Sequence, residues 1–134
     1  MKKIHYFSKL FTSLLNQVHW HAPSENTVDG TSFPLEAHFV HQLDDPTNGG
    51  LHRLAVIGLL YEFGDDPDAE ESCNEFLDNF WGDFSNEKGS KVSYTGSVLD
   101  FNAKLAAQLA EGYYHWFGSL TTPPCTEGVS LCLF

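Results

Sequence analysis

The spacing of apolar and polar positions predicts a mainly β chain with short helices. Gln17 to His21 alternates in the two-residue period of a strand and stops at Ala22-Pro23-Ser24, where proline withdraws a ladder donor. Val28-Asp29-Gly30-Thr31 carries a turn signal. Leu35 to Leu43 reads as a second strand with Glu36, His38, Val40 and Gln42 on one face, and Asp44 to Gly50 is a loop dense in Asp, Pro, Asn and Gly. In the next segment, Leu51 to Phe63, the run Leu54 to Tyr61 is almost continuously apolar, which suits a strand covered on both faces. Beyond an acidic linker, Ala69 to Phe80 sets Cys73, Phe76, Leu77 and Phe80 on one side of a helix. Ser97 to Glu111 reads as partly helical, because Phe101, Leu105 and Leu109 recur every four residues and Gly112 supplies a stop. Gly128 to Phe134 reads as a last strand, and its position implies a domain that continues beyond it.

Composition narrows the class of protein. A length of 134 residues bounds one domain with a modest core, and 42% hydrophobic with 14% aromatic residues argues against disorder. Seven basic residues against eighteen acidic ones leave a net charge of −11, which repels a phosphate backbone and excludes nucleic acid as a partner. Much of the acidity is a solvated stretch, Asp65 to Glu71. No apolar run reaches the roughly 18–20 residues that span a bilayer, so no membrane partner is expected. Met1 to Leu15 is not read as a signal peptide: Ser8, Lys9, Thr12 and Ser13 interrupt its apolar stretch, and no small-residue cleavage site follows. Cys73, Cys125 and Cys132 match no C-x-x-C spacing; one pair with a leftover and three free thiols fit equally, which leaves the redox compartment open.

Candidate chemistry lies in the histidines. His19 and His21, at i and i+2, project from one strand face, and His38 on a following strand completes three nitrogens for a zinc ion with its fourth position open to water. Gln17 precedes His19 by two residues and Glu36 precedes His38 by two, each on its histidine's face, where a group accepting the outer imidazole N–H belongs. His19-x-His21-x3-Glu25 also fits the first motif of a cupin, with Glu25 as a direct ligand of iron or manganese. That alternative leaves Glu36-Ala37-His38 and Ser119 to Pro124 without a use.

Three segments together point to one family. Gln17-Val18-His19-Trp20-His21-Ala22-Pro23-Ser24-Glu25, then Pro34-Leu35-Glu36-Ala37-His38-Phe39-Val40-His41-Gln42, then Gly118-Ser119-Leu120-Thr121-Thr122-Pro123-Pro124-Cys125-Thr126-Glu127-Gly128-Val129 closely resemble the α-class carbonic anhydrases. The resemblance runs from Asn16 to Phe134 and is loosest through Asp65 to Gln108. It implies a mostly antiparallel central sheet, Zn2+ as cofactor, and reversible hydration of carbon dioxide to bicarbonate and a proton by attack of zinc-bound hydroxide. His19, His21 and His38 would be the metal ligands, with Gln17 and Glu36 behind His19 and His38. Thr121 would accept a hydrogen bond from the hydroxide and donate its own to Glu25, because an ionised carboxylate can only accept. Thr122 and the backbone N–H of Thr121 would hold bicarbonate, and Val40, Val56 and Leu120 would line the carbon dioxide pocket.

Departures from the family pattern are equally specific. Asn26 stands where a histidine is common, and Leu131 where a pocket tryptophan is usual. The part of the family domain that carries the proton-shuttle histidine and the cysteine partner of Cys125 is not matched by Met1 to Leu15, so His5 receives no shuttle role and the shuttle is unassigned. The segment that supplies a carbonyl behind the second ligand, His21, has no counterpart either. The expectation is therefore one truncated domain over residues 1–134, with a non-catalytic anhydrase-like fragment or binding module as the alternative to an enzyme. The resemblance suggests a secreted or lumenal setting and leaves oligomeric state open.

Overall fold

The strand Arg53–Tyr61 (β5) occupies the middle of a five-stranded sheet in the computed structural model, which describes residues 14–43, 53–66, 74–82, 87, 89–93 and 112–134. The other strands are Leu14–His21 (β1), Leu35–Leu43 (β4), Tyr114–Ser119 (β6) and Glu127–Leu133 (β7), in the spatial order β1-β4-β5-β7-β6. Thr27–Val28 (β2) and Thr31–Ser32 (β3) form a separate small hairpin. Every pairing in the large sheet is antiparallel except β5 with β7, so the sheet is mostly antiparallel as the sequence implies. β5 and β7 can run parallel because the long segment between Tyr61 and Glu127 returns the chain to the starting end.

Local sequence accounts for most of these elements. β4 has the boundaries expected from its alternation. The apolar run in β5 is buried from Ala55 through Leu59, hence on both faces. Asp29 and Gly30, with φ of 51° and 80°, close the β2–β3 hairpin as a two-residue turn of the primed kind, matching the strands' twist. β6 is absent from the sequence reading: Tyr114-His115-Trp116-Phe117 has no apolar–polar alternation to signal it. Tyr114 and Phe117 on this edge strand are exposed.

Register places two rows of side chains on one face. Strand pairing aligns His19, His38, Gly58 and Leu133 across β1, β4, β5 and β7. The neighbouring row aligns Gln17, Val40, Val56 and Leu131. On the other face Ala37, Phe39, Ala55, Ile57, Leu59 and Cys132 are buried and form the apolar side of the sheet.

Gly58 is the close approach that lets this packing exist. A Cβ there would lie 2.8 Å from Leu133 Cδ1 and 3.1 Å from Glu36 Oε1, between a buried leucine and a buried carboxylate. Gly58→Ala is therefore expected to destabilise the protein by about 1–3 kcal/mol, as small-to-large changes in a packed interior do. Urea unfolding measures it; a variant as stable as its parent would mean that Leu133 moves aside at no cost.

The chain divides into two compact units, Met1–Glu62 with Glu111–Phe134, and Phe63–Ala110. The second contains a helix, Glu75–Trp81 (α1). Asn74 caps it, its Oδ1 accepting from the N–H groups of Phe76 at 3.0 Å and Leu77 at 3.1 Å. It runs one residue past the expected Phe80, to Trp81. Residues 69–73, with Cys73, and the expected helix over Ser97 to Glu111 lie outside the described residues. Cys125 is exposed and Cys132 buried, both as free thiols, and burial pushes the Cys132 thiol up to about 11. Among the described residues, no helix is long and apolar enough to cross a membrane.

Candidate metal centre

The pleat of β1 carries His19 and His21 to one face, and the register of β1 on β4 sets His19 directly opposite His38. The three imidazoles consequently meet: ring centroids are 5.1 Å apart for His19–His21, 5.2 Å for His19–His38 and 4.6 Å for His21–His38. One nitrogen from each ring lies within 4.8 Å of the others. His38 is buried, while His19 and His21 are half-buried, so the cluster opens to one side.

Behind His38 the site is tightly bound. The Glu36 side chain is fully buried and lies 2.7 Å from His38 Nε2. Asn26 also meets this carboxylate, donating from its backbone N–H to Oε2 at 2.8 Å and from its Nδ2 to Oε1 at 2.6 Å. Burial alone would raise the Glu36 carboxyl, but the hydrogen bonds from His38 and Asn26 outweigh it and hold the group at about 2. An ionised carboxylate only accepts, so His38 Nε2 carries the proton and Nδ1 keeps the free lone pair.

The other two rings are less supported. His19 Nδ1 and His21 Nε2 are buried without a hydrogen-bond partner. Buried polar atoms ordinarily have partners; an ion held by the three rings would give His21 Nε2 one, while His19 Nδ1 is the nitrogen that a group behind the ring would meet. Burial, then repulsion from His38 and His21, lowers His19 below the ordinary imidazole value against the pull of Glu25 and Glu36. That favours the neutral, metal-competent form. Gln17 is exposed and shares no hydrogen bond with His19 Nδ1, unlike the close contact of Glu36 with His38. A tetrahedral ion with bonds of about 2.0–2.1 Å spaces its ligand atoms about 3.3 Å apart, so ligand atoms now within 4.8 Å of one another would draw in by up to about 1.5 Å around it. The donor set is three imidazoles with one anionic partner behind them, and it fits zinc.

The remaining candidates surround this cluster unevenly. Val40 is half-buried and Val56 buried, in register with each other on the histidine face. Leu131 pairs with Val56, and Leu120 is half-buried. Thr121 and Thr122 are exposed in a turn closed by the Leu120 N–H donating to the Thr126 carbonyl at 2.9 Å and the Cys125 N–H donating to the Thr122 carbonyl at 2.9 Å. Glu25 is exposed, shares no hydrogen bond with Thr121, and places Oε2 3.8 Å from His21 Nε2. It is not one of the residues whose ligand atoms gather, so the His19/His21/Glu25 set is not assembled. The sequence marks Asn26 only as a departure from the family pattern and gives neither Asn26 nor Ser24 a role at the site: they lie in a bend between strands, where no periodicity signals one.

A family model described as eukaryotic-type carbonic anhydrase matches residues 5–134. Carbonic anhydrase from Neisseria gonorrhoeae is 41% identical over 119 residues, covering 89% of this chain and 40% of the relative. Alpha carbonic anhydrase 4 from Arabidopsis thaliana is 38% identical over 115 residues, covering 86% of this chain and 37% of the relative. The chain thus spans about two fifths of the length of these relatives. Among solved structures, the alpha-carbonic anhydrase from Thermovibrio ammonificans in complex with the inhibitor sulfanilamide superposes with a TM-score of 0.66 at 38% identity, over 90% of this chain and 46% of that one.

Proposed function

The chain belongs to the eukaryotic-type carbonic anhydrase family, and we propose that it holds a catalytic zinc ion on His19, His21 and His38 and hydrates carbon dioxide reversibly to bicarbonate and a proton. The observation that carries this reading is the cluster of three imidazoles, one of which has its outer nitrogen tied to a buried, ionised Glu36. Zinc, when bound, supplies a Lewis acid that generates a nucleophile from water near neutral pH, a chemistry for which carbonic anhydrases are the standard illustration.

The protein's own residues have separable tasks. Glu36 keeps the His38 proton on Nε2, which leaves Nδ1 available as a ligand. Val40, Val56 and Leu120, with Leu131 beside Val56, would offer carbon dioxide an apolar flank. Thr122 and the backbone N–H of Thr121 would donate to the bicarbonate oxygens. Thr121 would donate a hydrogen bond from its hydroxyl to Glu25, leaving its oxygen as an acceptor toward the reacting water. Glu25 and Thr121 share no hydrogen bond in this structure, so this role requires their side chains to move together when substrate binds, as hydrogen bonds of catalytic groups commonly tighten at that point. The role of Gln17 behind His19 requires a comparable side-chain movement. Carbon dioxide and bicarbonate are the small-molecule partners of this reading.

Stopped-flow hydration with zinc stoichiometry on the purified chain is the direct test. About one zinc per chain with hydration blocked by a sulfonamide supports the reading. Zinc without hydration indicates a binding module, and no zinc at all rejects the site. Thr121→Ala is expected to keep the metal and lose hydration by about 100-fold, the scale of one lost orienting hydrogen bond. Hydration equal to the parent's would remove Thr121 from the reaction.

A further inference from the structure

We propose that Asn26 is a positioning residue for the metal centre: by gripping both oxygens of Glu36, it holds His38 in the Nε2–H tautomer. This inference rests on the zinc reading for its purpose, although its geometry is independent of metal.

Glu36 can fix His38 only if its own carboxylate is fixed. A glutamate side chain has three rotatable bonds, and one hydrogen bond to an imidazole would leave it free to turn. Asn26 removes that freedom from two directions, with its backbone N–H on Oε2 at 2.8 Å and Nδ2 on Oε1 at 2.6 Å. Oε1, which also takes the His38 proton at 2.7 Å, is thereby shared between an amide and an imidazole. Both donors arise from one residue, so the carboxylate plane follows wherever Asn26 is set.

Asn26 is in turn anchored. The buried Ser24 hydroxyl donates to the Asn26 carbonyl at 2.6 Å and accepts from the Phe33 N–H at 2.9 Å. The Ser24 N–H donates to the Phe33 carbonyl at 2.8 Å. A continuous chain of hydrogen bonds therefore runs from the segment entering β4, through Ser24, Asn26 and Glu36, to the ring of His38. Buried networks of this sort specify one arrangement when every member is satisfied. An aspartate at position 26 would set an oxygen against Glu36 in place of Nδ2, whereas alanine would retain only the backbone donor.

The test uses Asn26→Asp and Asn26→Ala, with 15N shifts of the His38 imidazole read in the metal-free chain and zinc affinity read by chelator competition. The parent is expected to show a single Nε2–H tautomer. Both variants are expected to show a tautomer mixture and to bind zinc about 10–100-fold more weakly, the usual loss when a group behind a metal ligand is removed. Asn26→His, which restores a side-chain donor, is expected to recover most of the affinity. A His38 ring that remains wholly Nε2–H in both Asp and Ala variants overturns the proposal, whatever happens to their thermal stability. Tautomer mixing with zinc affinity still within about twofold of the parent overturns the link to the metal. If Asn26→Asp does not fold, Asn26→Ala decides alone. A parent that binds no zinc refutes the zinc reading instead, and the tautomer comparison still decides the role of Asn26.

Discussion

His38→Ala is expected to abolish zinc binding and carbon dioxide hydration together. His38 is the buried member of the cluster and the only one of the three whose outer nitrogen already has a partner. Alanine removes a ligand and also leaves Glu36 without one of its three donors. Two half-buried imidazoles remain, too few for a zinc site that ordinarily uses three protein ligands and an open position. Zinc stoichiometry by atomic absorption, beside stopped-flow hydration, reads the effect. A melting curve of metal-free parent and variant separates loss of the site from loss of the fold. Metal content equal to the parent's would reject the ligand assignment.

Glu36→Leu is expected to have the largest effect on stability. The leucine keeps the space filled and dry while removing the acceptor of three hydrogen bonds, from His38 Nε2, Asn26 N–H and Asn26 Nδ2. A buried donor left without an acceptor costs about 1–3 kcal/mol; His38 Nε2 bears that cost in full and the two donors of half-buried Asn26 in part, for a loss of roughly 2–5 kcal/mol. Domains are stable by only about 5–15 kcal/mol, so the variant should lose a large share of its stability. Glu36→Gln offers a graded comparison: its amide oxygen still accepts, while its NH2 faces a donor. Urea unfolding followed by circular dichroism measures both. A loss under about 1 kcal/mol for Glu36→Leu would mean that water reaches these donors and that the network does not hold the site.

The two variants probe features of unequal legibility. Alternation in Gln17–His21 and Leu35–Leu43 was readable because side-chain direction in a strand depends only on parity, and it put His19, His21, Glu36 and His38 on the correct faces. The pairing of Glu36 with His38 follows from the same parity, being two residues apart on one strand. Gln17 and His19 share that spacing without a hydrogen bond, because spacing sets the face and not the reach of the side chain. Asn26 gave no sequence signal as a buried donor: it lies ten residues from Glu36, in a bend, and meets it only because the hairpin folds β4 back beside it. Strand β6 was missed because an aromatic stretch has no periodicity to read.

By itself, the sequence determined what is local or carried by motif: the strand faces, the turn at Asp29-Gly30, the three candidate ligands and the family they resemble. Tertiary structure alone decided which strands pair and in what register. It set His19 opposite His38, ran β7 parallel to β5, left room at Gly58 for Leu133 and Glu36, and brought Asn26 onto the carboxylate. The physical reason is separation along the chain. Backbone sterics fix neighbours' directions within a few residues, whereas contacts between distant segments depend on burial and hydrogen bonding summed over the whole sheet.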